Sequence, residues 1–376
     1  MAFVPTRKIF KPDLALGAVV ATTMALAGGL AEAFPPEDPP CPTSVLTKQQ
    51  GGLAPPIVAA HCPQLPNCLV NFKGYQWWTA YQYDPAHGFF YNGGLRSRFA
   101  PEHAFVDNTD EHNLHLVANN DIDLGAGKVW SGAEAVLMFN SDGSKEANLG
   151  YGDYLVTARL VDHFWSDLDP NMAFGVFTYE NPGTGPNSNP NREIDLAEIS
   201  RWGWDHTGTC PITGKNFNFP NDTLCKGNAQ FALQKIDNFE NNGGPSAKQG
   251  PLMVDRYNIG DNTQVTLVMR WRERDVTFEK YTGARSLNNL PGAPHDKWQD
   301  DLDRHPTPPD FKTDPPKAPP EEDLRNFIPV HSANSCERFH INFWFGNYSK
   351  SQNGINPPPG SPQEVIITNF EFQPPK

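Results

Sequence analysis

The chain has 376 residues, 30 Lys+Arg against 43 Asp+Glu, and a formal net charge of -13. That balance argues against nucleic acid and anionic membrane surfaces as partners, and weighs against sulfated polysaccharides. With 31 Gly, 37 Pro and 24 Phe the composition excludes a helical bundle and favours short strands joined by turns, on a length that suffices for one large domain or two small ones.

At the N-terminus Arg7, Lys8 and Lys11 precede an apolar run from Leu14 to Leu30, and Ala31-Glu32-Ala33 follows as a small-x-small site. This pattern predicts a secretory signal peptide over 1–33, cut after Ala33. The run contains Gly and Thr and is short for a membrane span. The expected location is therefore secreted or periplasmic, with no membrane association after cleavage. Residues 34–69 are Pro-rich and read as an arm or linker. Three of the six cysteines, Cys41, Cys62 and Cys68, lie there; the others are Cys210, Cys225 and Cys336. An even count in an exported chain predicts disulfides, with Cys210 and Cys225 as the local candidates. No C-x-x-C spacing suggests zinc.

Strand signals begin near Phe72 and define a domain over 70–376. FKGYQWWTAYQY is aromatic and β-prone; its adjacent Trp77 and Trp78 are expected to be one buried and one not. NLHLV, VWSGAEAVLMF, YGDYLVTARLV and NMAFGVFTYE follow, each bounded by Gly, Asn or Asp. His112 and His115 stand three apart around NLHLV, which places them on opposite faces and disfavours a joint metal site. Residues 205–250 read as a loop-rich insertion. TQVTLVMRWRE and DVTFEKY then form a hairpin, with Arg272-Glu273-Arg274 as its polar turn. The Pro- and charge-rich stretch 291–323 cannot be a central strand and reads as an excursion at one end of a sheet. RFHINFWFGNY and EVIITNFEFQ close the chain. Antiparallel strands in this number imply a sandwich of two sheets.

The chemistry concentrates in NREIDLAEISRWGW, Asn191 to Trp204. Glu193 and Asp195 share one strand face, while Ile194 and Leu196 point into a core. Glu198 falls out of phase by one residue, and a β-bulge with Ala197 as the extra residue would return it to the acidic face. Three carboxylates on one face repel one another, which splits their pKa values. Retaining glycoside cleavage uses such a split: one ionised carboxylate attacks while a neutral carboxyl, about 5–5.5 Å away, donates a proton. A straight strand would hold the two Glu Cα atoms roughly 13 Å apart, so this chemistry calls for a concave sheet. An exposed charged strand or a metal loop is the alternative that the spacing alone leaves open. No Gly-x-Ser-x-Gly elbow, phosphate-binding Gly loop or EF-hand spacing is present.

EIDLAE resembles the active-site strand of glycoside hydrolase family 16, in the bulged E-x-D-x-x-E form of its motif. ISRWG and NMAFGVFTYE are similar to a branch that reads EIDIEFSRWG, with one residue fewer before the second Glu. NLGYGDYLVTARL resembles the family's YG-x-Y strand, and INFWFG its N-x-W-x-G strand. The resemblance spans about Phe72 to Phe372. It implies an all-β, concanavalin-like jelly-roll β-sandwich of two antiparallel sheets with a cleft on the concave face. It also implies a secreted, retaining endo-glycosidase acting on a β-linked polysaccharide, by default a β-1,3- or mixed-linkage glucan. Glu193 would be the nucleophile, Glu198 the acid and base, and Asp195 the group that poises Glu193. Many members carry a His in the strand that here reads TQVTLVMRW, which has none. No organic cofactor is expected. Members often hold a structural calcium on the convex side, but no motif here identifies its ligands.

A sugar cleft is expected to present aromatic faces. Trp202, Trp344, Trp130 and Tyr179 are the candidates for substrate binding, with Trp204 behind them; for each, core packing is the competing role. The expected partner is a polysaccharide or oligosaccharide, and the protein is expected to be a monomer. Two rival functions remain: a carbohydrate-binding protein without turnover, and a transglycosylase on the same fold.

Overall fold

The computed structural model describes residues 68–79, 83–84, 89–91, 98–109, 112–123, 128–143, 145, 147–169, 172–179, 191–200, 228–235, 252–257, 259, 264–301, 310–312, 328–329, 331, 337–345 and 361–376. These belong to one compact unit, Phe34–Lys376. In chain order the strands are β1 (Leu69–Phe72), β2 (Tyr75–Trp78), β3 (Tyr83–Asp84), β4 (Phe89–Tyr91), β5 (Arg98–Phe99), β6 (Ala104–Asp107), β7 (Asn113–Asp123), β8 (Lys128–Ser131), β9 (Ala133–Asn140) and β10 (Gly152–Leu160). They continue as β11 (Met172–Tyr179), β12 (Asn191–Ser200), β13 (Ala229–Lys235), β14 (Leu252–Tyr257), β15 (Gln264–Trp271), β16 (Asp275–Thr282), β17 (Asp296–Asp301), β18 (Asp310–Lys312), β19 (Arg338–Phe345) and β20 (Gln363–Gln373).

Two antiparallel sheets form the expected sandwich. The nine-stranded sheet runs β1-β2-β9-β19-β11-β12-β13-β14-β18. The eight-stranded sheet runs β17-β16-β15-β10-β20-β7-β6, with β8 paired to β7. Strand periodicity explains how they close on each other. On β19, Phe339, Ile341 and Phe343 enter the core, while His340, Asn342 and Trp344 point the other way. Opposite them, Val156, Ala158, Leu267, Met269, Val365 and Ile367 line the inner face of the eight-stranded sheet. Burying such faces is the main stabilising term of the fold.

Several expectations change on contact with the structure. Trp77 and Trp78 are both buried, because each face of β2 is covered. Trp77 enters the core, its ring centroid 5.1 Å from that of Phe370 and its indole N–H donating to the Phe72 carbonyl. The stretch read as a loop-rich insertion contains β13, the direct neighbour of the acidic strand, and β14 follows before the hairpin. The β15–β16 hairpin is present, with the Arg272 amide donating to the Asp275 carbonyl. Within the Pro-rich excursion, β17 and the short β18 form, each at the edge of a sheet.

The far face of the eight-stranded sheet carries a strap. Leu287 and Leu290 pack on Leu155, Val268 and Tyr281. The Leu287 amide donates to Glu371, and Asn369 donates to the Arg285 carbonyl, tying the strap to β20. β20 itself is central, paired with β10 on one side and β7 on the other.

Candidate active site

β12 lies between β11 and β13 in the middle of the nine-stranded sheet. Its inner face supplies Ile194, Leu196, Ala197 and Ile199 to the core, all fully buried. Two consecutive residues facing inward are the signature of a bulge, and the register shows where it sits. Val176 pairs with Ala197 and the next residue, Phe177, pairs with Asp195. Leu196 is therefore the extra residue, not Ala197 as the spacing suggested. On the other side Asp195 pairs with Ala232 and Glu198 with Gln230, so the same slip appears against β13. Large Leu196 takes a core position of its own, and that burial holds the slip in place. The consequence is the expected one: Glu193, Asp195 and Glu198 share the outer face.

That outer face is not open to solvent. Asp195 is 1% exposed, and Glu134, Gln230, His340 and Asn342 are buried as well. Glu193 and Glu198 are half-buried. Burial pushes the Glu193 carboxyl up to about 8, repulsion from Glu198 adds to the rise, and a hydrogen bond with Asp195 opposes it. Two carboxyl groups share a hydrogen bond only when one of them carries the proton. The arrangement thus holds fewer negative charges than carboxyls at neutral pH, and Glu193 and Glu198 titrate as a pair.

A cross-strand row runs through Glu198. Asn342 on β19 pairs with Glu134 on β9 and with Gly175 on β11; Gly175 pairs with Glu198, and Glu198 with Gln230. Gln230 donates its amide N–H to Glu198. Its carbonyl oxygen is buried and has no hydrogen-bond partner among the described residues, and the same holds for the Asn342 Oδ1. Each such orphan costs about 1–3 kcal/mol. Asn342 Oδ1 occupies the space above Gly175: a Cβ there would stand 2.4 Å from it. Gly175 is thus a close-approach glycine that lets the amide lean toward the strand of Glu198.

A second row joins His340, Phe177 and Asp195. The His340 ring stacks on Phe177 at 4.8 Å and its Nδ1 lies 3.2 Å from a Glu134 oxygen. Neither Gln230 nor the Glu134–His340 pair was singled out from the sequence. In AQFALQK the alternation of polar Gln with Phe and Leu was the available signal, masked by the Asn-, Gly- and Pro-rich segments around it.

The aromatic candidates separate. Trp344 is on the outer face, in register with Ala173, and is 7% exposed. Tyr179 pairs with Glu193 on one side and Arg338 on the other, and is half-buried. Trp130 lies on β8, which pairs with β7 of the other sheet, and packs against the core. Trp202, Trp204, Cys210 and Cys225 fall outside the described residues, as do 1–33 and most of the Pro-rich arm. Cys68 carries no free thiol. Among the described residues no group of three or more His, Cys, Asp or Glu is arranged to hold a metal ion, and no helix is long and apolar enough to cross a membrane.

No family model matches the chain, and no curated protein matches it. Among solved structures it is similar to a prokaryotic β-1,3-1,4-glucanase (lichenase) derived from a mouse hindgut metagenome, at 15% identity and a TM-score of 0.41, over 81% of this chain and 95% of that one. It is also similar to the catalytic domain of an endo-1,3-β-glucanase (laminarinase) from Thermotoga petrophila, at 13% identity and a TM-score of 0.40, over 82% and 94%. A glycoside hydrolase family 16 endo-glucanase from Bacteroides ovatus aligns at 12% identity and a TM-score of 0.43, over 82% and 98%.

Proposed function

We propose that the protein is a secreted, retaining endo-glycosidase of the glycoside hydrolase family 16 type, acting on a β-linked glucan with 1,3 or mixed linkages. The observation that carries this reading is the bulged strand, which sets Glu193, Asp195 and Glu198 on one recessed face with the Glu193 carboxyl coupled to Glu198. A binding surface gains nothing from three crowded carboxyls; a double displacement needs a nucleophile and an acid that share one proton.

In the first step the Glu193 carboxylate bonds to the anomeric carbon as the glycosidic C–O bond breaks, and Glu198 gives its proton to the departing oxygen. In the second, water gives a proton to Glu198 and its oxygen displaces Glu193 from the same carbon. Asp195, hydrogen-bonded to Glu193, favours its ionised form and limits repulsion within the trio. Trp344 and Tyr179 flank the acids and are aromatic groups placed to meet a sugar ring.

The test is a panel of β-glucans with a reducing-sugar readout. Wild type is expected to cleave at least one member. Glu193→Gln and Glu198→Gln should each lose about a hundredfold or more, with Asp195→Asn less affected. Azide should partly restore Glu193→Ala, giving a glycosyl azide of inverted configuration. Binding without cleavage by wild type would favour a lectin-like role, and full activity in both Glu variants would overturn the assignment. Product analysis with a sugar acceptor separates hydrolysis from transglycosylation.

A further inference from the structure

The double displacement asks Glu198 to be a neutral acid in one step and an anionic base in the next. A fixed donor beside it would favour only the anion, and a fixed acceptor only the acid. A primary amide is different, because a half-turn about its last bond exchanges N–H donor for carbonyl acceptor with no change of shape. Gln230 presents such an amide. Its N–H donates to Glu198, the residue is 3% exposed, and its carbonyl oxygen is buried with no partner among the described residues. The observed orientation suits an ionised Glu198. It also leaves unused a carbonyl oxygen that could accept a proton carried by Glu198.

We propose that Gln230 is a positioning residue whose amide turns with the protonation of Glu198, donating to the carboxylate and accepting from the acid. This rests on the glycosidase reading for its catalytic meaning. The turn decides which member of the acidic pair holds the proton. With the N–H toward Glu198, the proton is held away from it and Glu193 is neutral, which is unproductive. With the carbonyl toward Glu198, the proton sits on Glu198 and Glu193 is free to attack. After proton transfer to the departing oxygen the amide returns to its donor orientation, and it reverses again as Glu198 takes a proton from water.

Among the described residues the other charged or titratable groups facing this position are few. Glu193 and Asp195 lie on its own strand. Beyond Gly175 and Phe177, β11 offers Tyr179, while β19 offers Arg338 and His340, and β9 offers Glu134. On β13 the partner of Glu198 is the uncharged Gln230, in register with Arg256 on β14. A strand neighbour without charge leaves the proton's position to the amide.

Two readouts test this. The first needs no substrate. In protein labelled with 15N on glutamine side chains, the Gln230 amide pair, assigned by its loss in Gln230→Met, should titrate between about pH 4 and 9, and that titration should vanish in Glu198→Gln. Signals of Gln230 that stay fixed over that range would overturn the proposal. The second separates the steps. Cleavage of an unactivated β-glucan oligosaccharide needs Glu198 as acid, whereas turnover of a 2,4-dinitrophenyl glycoside is limited by Glu198 acting as base. Gln230→Met is expected to slow both by about tenfold and to shift the pH profile of each. Loss in one step alone means a fixed donor or acceptor and overturns the alternation, as do rates and profiles equal to wild type. If Gln230→Met does not fold, Gln230→Asn withdraws the amide by one methylene and serves both readouts. If wild type cleaves neither substrate, the glycosidase reading fails, and the amide titration still decides the role of Gln230.

Discussion

The hydrogen bond from Asp195 and the repulsion from Glu198 pull the Glu193 carboxyl in opposite directions, and burial settles the contest in favour of the neutral form. The folded chain keeps that proton up to about pH 8, while an unfolded Glu releases it near its ordinary value of 4.5. Across this window the unfolded state binds fewer protons, so this site lowers stability as pH rises, and the loss is complete above about 8. Gln at this position carries no such penalty. Glu193→Gln should therefore unfold at higher urea than wild type at pH 9, with the gap closing near pH 4. Equal urea midpoints at both pH values would show that the carboxyl is not strained. At Gly175 the expected effect is steric. An Ala Cβ would meet Asn342 Oδ1 at 2.4 Å, so the buried Asn342 amide would have to turn aside. Gly175→Ala should cost about 1–3 kcal/mol in thermal or chemical unfolding, and adding Asn342→Ala should recover part of it.

The bulge in β12 is the element on which the site depends, and it was legible in the spacing alone: Glu198 can join Glu193 and Asp195 only through a slip of one residue. Its position was not legible. Either Leu196 or Ala197 satisfies the period, and the choice of Leu196 follows from how β11 pairs, which is tertiary information. β13 was missed for a related reason. Gln and Ala have weak strand propensity, and AQFALQK becomes a strand because β12 and β14 pair with it on both sides. The β15–β16 hairpin, rich in Val, Thr and aromatic residues, was read correctly because its local preferences agree with its pairing. The bulge yields a sharp test. Deleting Ala197 leaves E-x-D-x-E, a regular strand that still puts the three acids on one face and the apolar residues on the other. That variant should fold and retain activity within about tenfold of wild type, whereas deleting Ile194 reverses the facing of Glu193 relative to Asp195 and should abolish it. Circular dichroism with the glucan assay distinguishes these outcomes.

At the scale of the whole molecule, the all-β sandwich was readable from composition and alternation, but the sheet order was not, because strand neighbours are set by contacts between residues hundreds of positions apart. Export remains a proposal, and it has two checks. Secreted material should begin near Phe34, and intact Met1 on it would reject the signal peptide. Denaturing, non-reducing alkylation should label few of the six cysteines. A Cys210–Cys225 bridge would contribute roughly 3 kcal/mol through its short loop, and labelling of all six would rule it out.

The central place of β20 has a consequence for how the protein is made. Its partners β10 and β7 leave the ribosome more than two hundred residues before it does. Until β20 emerges, the eight-stranded sheet exists only as two halves, β17-β16-β15-β10 and β7-β6, with no strand between them. The inner face of the other sheet then has no complete surface to close on. Folding must wait until β20 has emerged, and domains that fold as units from distant segments do so late. A nascent chain of this design stays open until β20 emerges, the condition in which a polypeptide can be threaded through a translocation pore. Truncation before Gln363 should accordingly yield unfolded protein rather than a smaller sandwich, as read by loss of a cooperative thermal transition, while the exposed Pro374–Lys376 tail should tolerate a fused tag.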